Sequence, residues 1–405
     1  MKKVYESIYM NVNNSFVIKH ALAFNAFFVL NYLAWLIGFQ SIAPVIFTGL
    51  LIYFCYFAVD SFKFKHALPL LVILYLGFLS LGTVATSWDA RSIWLFHAKR
   101  IFIDNSIFAQ LDDYAIWSHN DYPVIAPLLS ASFAKLIGFW NEIFPKASNV
   151  FFILPPLLIF YGHINNNRLF TLMVIGIFYI IAKLLLNGYM DGILALYALS
   201  TLIIAKYYFY DKQNVGLLFI LQSIVLVNIK IEGFFIFAVI IASIFLTKPH
   251  ITYANLKRYI ICLVPIIFWA LWKFIVHAHG VVNYIYGGLA TNNLISLLDH
   301  VKSRFQPDSL LMIFEHTLLF KYYLLLALPL LFYRKIVNVQ LDQIIKASLL
   351  FFALYWLFLF TVYVLTPHDL YWHLKGSATR TTLPLQLISL WIPILILKNY
   401  LSHKG

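Results

Sequence analysis

Long apolar runs alternate with short polar links along most of the chain. Each run holds about 17 to 25 residues, the length with which a helix crosses the hydrocarbon core of a bilayer. A helix also satisfies its backbone hydrogen bonds within its own segment, as a lipid environment requires. The pattern therefore predicts an all-α, polytopic integral membrane protein with about 12 transmembrane helices, in a range of roughly 11 to 13. The predicted spans are 20–38, 42–60, 67–86, 147–163, 168–186, 190–208, 215–230, 232–247, 258–277, 310–333, 347–366 and 382–398.

Basic residues in the links predict the orientation, because such residues concentrate on the cytoplasmic side. With the N-terminus in the cytoplasm, the links that hold Lys63, Lys206 and Arg258 all fall on that side. The segment 123–140 is apolar enough to span, but a span there would place Arg168 and everything after it on the other side. We therefore interpret 123–140 as a helix that lies in or dips into the outer interface, with a thirteenth span as the alternative.

This topology treats 1–405 as a single transmembrane domain. It assigns 87–146 to a first large outer loop, on the periplasmic side, and 367–381 to a late outer loop. Within the first loop, 92–108 reads "SIWLFHAKRIFIDNSIF", in which polar residues recur three and four positions apart. That spacing places them on one face of a helix and predicts an outer-face interfacial helix.

Composition supports the membrane assignment. The chain is 62% apolar and 11% charged, with a mean hydropathy of +0.84, whereas roughly a quarter of the residues of a soluble domain are charged. The net charge of +13 could suggest nucleic acid. Because most basic residues lie in short links, the charge is typical of membrane topology instead, and no nucleic-acid partner is expected.

Acidic residues are costly in a bilayer, so their positions indicate where water or function must be. Most of them fall on the predicted outer side. Asp89 follows the third predicted span directly, on a rigid helix end. There it could act as a general base toward a hydroxyl or as a ligand to a cation. The competing interpretation is that Asp89 caps the next helix or pairs with Arg91.

A second polar cluster occurs in "SHNDYPVIAPLL". Pro123 holds the residue before it extended, and His119 and Asp121, two positions apart in an extended chain, would face the same way. Together with Tyr122 they could bind a sugar or a phosphate, or share a metal ion. A plain helix start is the alternative.

A third cluster occurs in "NIKIEGFF", where Lys230 and Glu232 interrupt an apolar stretch. Two charges at this position are not expected to face lipid. They either line a cavity or cap two short helices at the outer face, and a plain tight connection is the alternative.

The late loop, "TPHDLYWHLKGSATRTTLPL", concentrates polar residues between the last two spans. Arg380, at the predicted start of the final helix, offers a fork of donors that matches phosphate oxygens, and a lipid phosphate is a natural partner. A His-based zinc site is a weak pattern here, because no third ligand lies nearby. An interfacial loop with an aromatic anchor is the alternative. The residues that could close over the phosphate are His368, Asp369, Trp372 and His373.

Five motifs occur in an order that resembles a known family: "WDARSIWLFHAKRIF", "HNDYPVIAPLL", "GYMDGILALY", "KIEGFF" and "TPHDLYWHLKGSATR". They resemble the multi-spanning bacterial glycosyltransferases of the GT-C fold, in the group related to protein O-mannosyltransferases and aminoarabinose transferases. The motifs cover most of the chain, from 88 to 380, and are specific to the superfamily rather than to one substrate.

The resemblance implies a GT-C-like fold and an inverting glycosyltransferase. Such an enzyme moves a sugar from a polyprenyl-phosphate carrier to a hydroxyl of a glycan, lipid or protein acceptor of the cell envelope. By match to the motifs, Asp89 resembles the catalytic base, while Arg380, with Lys99 or Arg100, would hold the carrier phosphate. The residues that would orient donor or acceptor are Arg91, His119, Asp121, Tyr122, Lys230, Glu232, His368, Asp369, Trp372 and His373.

The sequence departs from the family pattern at its proposed catalytic acid. That acid normally follows the first span, whereas Asp89 follows the third predicted one, and no adjacent acidic pair occurs at 88–90. No cofactor is required by the motifs, and a divalent cation stays open. The resemblance places the protein in the bacterial cytoplasmic membrane, among its lipids, with an active site facing the periplasm.

A transporter or flippase for a lipid-linked or anionic solute is the alternative function. It would use the same acids and arginine as ligands, but should carry charges near mid-span or paired broken helices.

Overall fold

A computed structural model describes residues 15–63, 66–109, 115–247, 258–281, 300–318, 321–327 and 343–402. The regular structure of these residues is entirely helical. The α-helices are α1 (Ser15–Leu36), α2 (Ala43–Lys63), α3 (Ala67–Leu81), α4 (Leu95–Asp104), α5 (Ile125–Ile137), α6 (Phe144–Ser148), α7 (Leu154–Ile164), α8 (Asn167–Asn187), α9 (Asp191–Phe209), α10 (Gly216–Ile229), α11 (Glu232–Thr247), α12 (Leu263–Ala278), α13 (Pro307–Leu318), α14 (Gln343–Leu365), α15 (Leu370–Thr381) and α16 (Leu383–Ser402). Short 3₁₀ turns and one π-helical turn, Ala90–Trp94, connect some of them.

Within the described residues, eight helical segments are long and apolar enough to cross a membrane, and α3, α5, α10 and α11 are shorter apolar helices. The described part of the chain is therefore that of an all-helical, polytopic membrane protein. Each predicted span coincides with helix except 310–333, of which only a part lies within the described residues. The number of spans stays a prediction, as does the interfacial position of 92–108.

Helix α9 lies at the centre of the bundle. Nearly all of its side chains are buried, and it packs against α7, α8, α10, α11 and α16. It begins at Asp191, so the central helix starts with a buried carboxylate.

A buried polar clamp joins α1 to α9 and α10. Asn25 donates from Nδ2 to Gln222 Oε1 over 2.7 Å and accepts from the Tyr197 hydroxyl over 3.1 Å. Gln222 in turn donates to Ser200 Oγ over 2.6 Å. Lipid supplies no hydrophobic drive between helices, so such interhelical hydrogen bonds contribute to which helices pair and in which register.

Helix α5 is buried inside the protein rather than laid on its surface. Its 13 residues reach about 20 Å, which is too short to cross a hydrocarbon core of about 30 Å. It packs against α1, α2, α4 and α6. The prediction that 123–140 lies in or dips into the outer interface stays a prediction, with most of the helix covered by its neighbours.

The polar face of α4 also points into the protein. His97 is buried and its Nε2 lies 2.9 Å from the carbonyl oxygen of Ser118. Arg100 is buried and donates to the carbonyl oxygen of Ala109 over 2.8 Å. These contacts join α4 to the segments that follow it, so its polar residues serve packing rather than a water-facing surface.

Residues 367–381, predicted as a loop, are largely the helix α15. Asp369 caps this helix by accepting the backbone N–H of Trp372 over 2.8 Å, a contact that satisfies an otherwise unpaired donor of the first turn. Thr382 alone separates α15 from α16. Arg380 therefore lies in the last turn of α15 and not at the start of the final helix.

Candidate functional site

The central contact of the candidate site joins Asp89 to Arg380. Arg380 donates from Nη1 to Asp89 Oδ2 across 291 positions of sequence, and each side chain is 19% exposed. Arg91, the alternative partner for Asp89, is exposed, and Asp89 forms no side-chain cap on the turn that follows it. The structure thus pairs Asp89 with the late helix α15 rather than with its own neighbour.

Lys146 anchors the segment that leads to Asp89. Its buried ammonium donates to Thr83 Oγ1 over 2.8 Å and to the Leu186 carbonyl oxygen over 3.1 Å. Farther along this segment, the Thr86 hydroxyl donates to Asn187 Oδ1 over 3.3 Å. These bonds hold the segment before Asp89 against the carboxyl end of α8.

The turn from α8 to α9 brings Asp191 beside Arg380. Gly188 has φ +85°, and a Cβ there would lie 3.3 Å from Lys146 Cγ, so glycine suits the turn in both conformation and space. Asp191 Oδ2 lies 3.9 Å from Arg380 Nη1, and the guanidinium carbon lies 5.0 Å from the centre of the Tyr189 ring. Arg380 therefore has a carboxylate on two sides and an aromatic ring within cation–π distance.

Lys230 binds two of the acids. It is an extended residue between α10 and α11, and its Nζ lies 2.9 Å from Asp191 Oδ1 and 3.0 Å from Glu232 Oε1. Lys230 therefore places an ammonium between two carboxylates and neutralises charge at the centre of the site.

Glycine is required where α11 begins. A Cβ at Gly233 would lie 2.1 Å from the carbonyl oxygen of Leu226, closer than any real contact. The start of α11 thus packs directly on the backbone of α10, which places Lys230 and Glu232 on one tight turn. The connection in "NIKIEGFF" is thus tight, and the interpretation that its charges line a cavity or cap two short helices at the outer face stays a prediction.

Residues 119–122 form a turn beside this network. His119 has φ +53°, its carbonyl oxygen accepts the Tyr122 N–H over 2.9 Å, and the two rings stack with centres 4.5 Å apart. The prediction of an extended chain that presents His119 and Asp121 on one side is therefore wrong. The Tyr122 ring faces Lys230, whose Nζ lies 5.8 Å from the ring centre.

Two side chains of α12 hold Asp121 in place. Lys273 Nζ lies 3.7 Å from Asp121 Oδ2, and the Trp272 indole N–H donates to the Asp121 carbonyl oxygen over 3.1 Å. The turn and α12 therefore extend the charged network, which alternates acid and base along its length.

Two predicted phosphate ligands do not meet Arg380 in the described contacts. Lys99 is exposed on α4. Arg100 is buried, donates to backbone carbonyl oxygens of the loop after α4 and lies 4.0 Å from the Asp104 carboxylate. Its donors therefore stabilise that loop.

The polar residues before Arg380 lie around the amino end of α15. His373 Nδ1 lies 2.7 Å from Thr366 Oγ1, Asp369 caps the helix and Trp372 is exposed. The rings of His368 and His373 are 5.9 Å apart. Among the described residues no group of three or more His, Cys, Asp or Glu side chains is arranged to hold a metal ion.

Three residues of the site are not predicted from the sequence: Asp191, Tyr189 and Lys273. A signal existed for Asp191, which belongs to the motif "GYMDGILALY" and begins an apolar run. Lys273 lies inside an apolar run of α12, where an ammonium indicates a partner. Tyr189 carries no signal of its own, because tyrosines are frequent in this chain.

Two buried histidines predict how stability depends on pH. Burial lowers the pKa of His97 and of His119 to about 4 each, whereas an exposed histidine titrates near 6.5. The unfolded chain therefore binds more protons below pH 6.5, so stability is full above that pH and is lost as pH falls toward 4. At pH 5 each histidine accounts for up to about 2 kcal/mol of that loss.

The test is thermal unfolding in detergent at pH 7 and at pH 5. We expect the wild-type protein to melt at a lower temperature at pH 5, and His97→Asn to show a smaller difference between the two pH values. The exposed His277 supplies the control, since His277→Asn should keep the wild-type difference. Equal differences in all three proteins would contradict the assignment.

Comparison of the chain with protein-family models, with curated proteins and with solved structures finds no match.

Proposed function

We propose that the protein is an inverting glycosyltransferase that moves a sugar from a polyprenyl-phosphate carrier to an acceptor hydroxyl. The observation that carries the proposal is the contact between Asp89 and Arg380. It brings the carboxylate suited to accept a proton next to the guanidinium suited to hold a phosphate. Such a reaction needs both, one on each side of the anomeric carbon.

The length of α16 supports a lipid phosphate as the partner of Arg380. Helix α16 has 20 residues and is therefore about 30 Å long, the thickness of a hydrocarbon core. With α16 as a membrane span, Arg380, which lies just before this helix begins, would be at the level where lipid headgroups start. A carrier with its chain among the lipids would present its phosphate at this level.

The other residues of the site supply charge balance and surfaces for a sugar. Lys230 neutralises Asp191 and Glu232, and Lys273 lies beside Asp121. Sugars bind to carboxylate acceptors and to the faces of aromatic rings, and the half-buried Tyr189 offers such a ring beside Arg380. A GT-C-like fold, twelve spans and a periplasmic site remain part of this proposal.

The transporter or flippase would be expected to carry charges near mid-span. Lys273 lies within α12, but the charges around Arg380 lie at helix ends and turns, at Asp89, Asp191, Lys230 and Glu232, which favours the enzyme.

The test uses purified protein in liposomes with a panel of polyprenyl-phosphate sugars labelled in the sugar, and with envelope glycolipids as acceptors. We expect transfer of label from at least one donor, one polyprenyl phosphate released per sugar transferred, and severe loss of transfer in Arg380→Ala. Consumption of no donor by folded protein, together with movement of labelled donor across the bilayer, would replace the enzyme by the flippase.

A further inference from the structure

In the structure, the side chains of Arg380 and Asp89 bind each other. The guanidinium proposed to hold the carrier phosphate donates to the carboxylate proposed to accept the proton. While this contact exists, Nη1 of Arg380 is not available to a phosphate, and Asp89 Oδ2 is not available to a hydroxyl. In the free protein, Arg380 is therefore not ready to bind the phosphate, and Asp89 is not ready to accept the proton.

We propose that the Asp89–Arg380 ion pair is a latch that the carrier phosphate opens. This inference rests on the proposed function. The phosphate takes Arg380 from Asp89, because its two non-bridging oxygens match the donor fork of arginine. Release of Arg380 leaves Asp89 free to accept a proton, so the base becomes active only after the donor has bound.

A second carboxylate, that of Asp191, lies within reach of the Arg380 side chain. Asp191 Oδ2 is buried and, within the described part of the chain, accepts no hydrogen bond, and it lies 3.9 Å from Arg380 Nη1. A shift of about 1 Å would bring this pair to hydrogen-bond distance. Arg380 can therefore leave Asp89 without losing every carboxylate partner, while Lys230 holds the other oxygen of Asp191 in place.

The sequence of events balances in atoms and charge. The carrier phosphate binds Arg380, and Asp89 is released. The acceptor oxygen then forms its bond to the anomeric carbon as its proton passes to Asp89, and the bond between that carbon and the phosphate oxygen breaks. Polyprenyl phosphate leaves with the electron pair, its charge held by Arg380, and Asp89 returns its proton to water before the latch closes again.

The latch predicts that loss of Asp89 strengthens phosphate binding. Asp89→Asn should bind polyprenyl phosphate in liposomes about ten- to hundredfold more tightly than the wild type, the range expected when a charged hydrogen-bond competitor is removed. In an Arg380→Ala background the same substitution should bring no gain. Polyprenol and inorganic phosphate serve as probes of the chain and the phosphate alone, and both should bind more weakly than polyprenyl phosphate.

Glu232→Gln is the matched control. It removes a negative charge from the same network, but Glu232 contacts Lys230 and not Arg380 in the described contacts, so the gain should be less than about threefold. Equal affinities of wild type and Asp89→Asn, or equal gains in Asp89→Asn and Glu232→Gln, would overturn the latch. Because this measurement needs no turnover, absence of sugar transfer together with the predicted gain would remove the glycosyltransferase and leave the latch standing.

Discussion

Asp89→Asn is expected to reduce sugar transfer about 1000-fold at saturating donor, within the range by which a general base accelerates a reaction. The substitution keeps the size of the side chain and an oxygen for Arg380, but an amide cannot take the proton of the acceptor hydroxyl. The measurement is single-turnover transfer of labelled sugar in liposomes, with saturating donor and acceptor. This design separates the chemical step from the tighter phosphate binding expected of the same variant.

A matched control comes from Asp308, an exposed acid at the start of α13. Asp308→Asn makes the same chemical change far from Arg380 in the sequence and should leave the transfer rate within twofold of wild type, about the size of an ordinary surface effect. If Asp89→Asn transfers sugar within tenfold of the wild type, Asp89 is not the base, and another acid of the network must take that role.

Lys230→Met is expected to destabilise the protein by about 3 to 5 kcal/mol, because it leaves buried carboxylates without their counter-charge. Asp191 is 4% and Lys230 is 8% exposed at the side chain, so water can replace the ammonium only poorly. The double variant Lys230→Met/Asp191→Asn removes both buried charges and should recover most of the loss. Unfolding in detergent, induced by heat or denaturant, gives the free energies of both variants for comparison with the wild type.

The stability that the double variant regains separates the effect of charge from the effect of packing. If the double variant is as unstable as Lys230→Met, the packing of the lysine stem matters more than its charge, and the network does not balance as proposed. Lys99→Met serves as control, since it removes the same charge from an exposed position on α4 and should unfold like the wild type.

The positions of the helices could be predicted because apolar length is a local property. The prediction fails at 367–381, where polar residues in an apolar chain indicate a loop. Helix α15 forms there because Asp369 caps it and because Leu370, Leu374 and Ala378, four positions apart, are buried on one face. Polar residues can contact water from a helix as well as from a loop, so polarity by itself does not exclude a helix here.

Part of the candidate site could be predicted residue by residue, but its pairs could not. Asp89, Lys230 and Arg380 are visible as charges at the ends of apolar runs, and the structure brings them into one network. The partner of Asp89 lies 291 positions away, whereas the nearest base in sequence is Arg91. No local pattern encodes that choice, because it depends on how α15 packs beside the start of α9.

Asn25 has a consequence for how the protein is made. Its partners, Gln222 and Tyr197, follow it by 197 and 172 positions. At roughly 5 to 20 residues per second, α1 emerges from the ribosome about 10 to 40 seconds before either partner does. During that interval the amide of Asn25 must be kept from bare lipid by water at the membrane surface or by the insertion machinery. Helix α1 is thus made well before α9 and α10, the helices that complete the hydrogen bonds of Asn25.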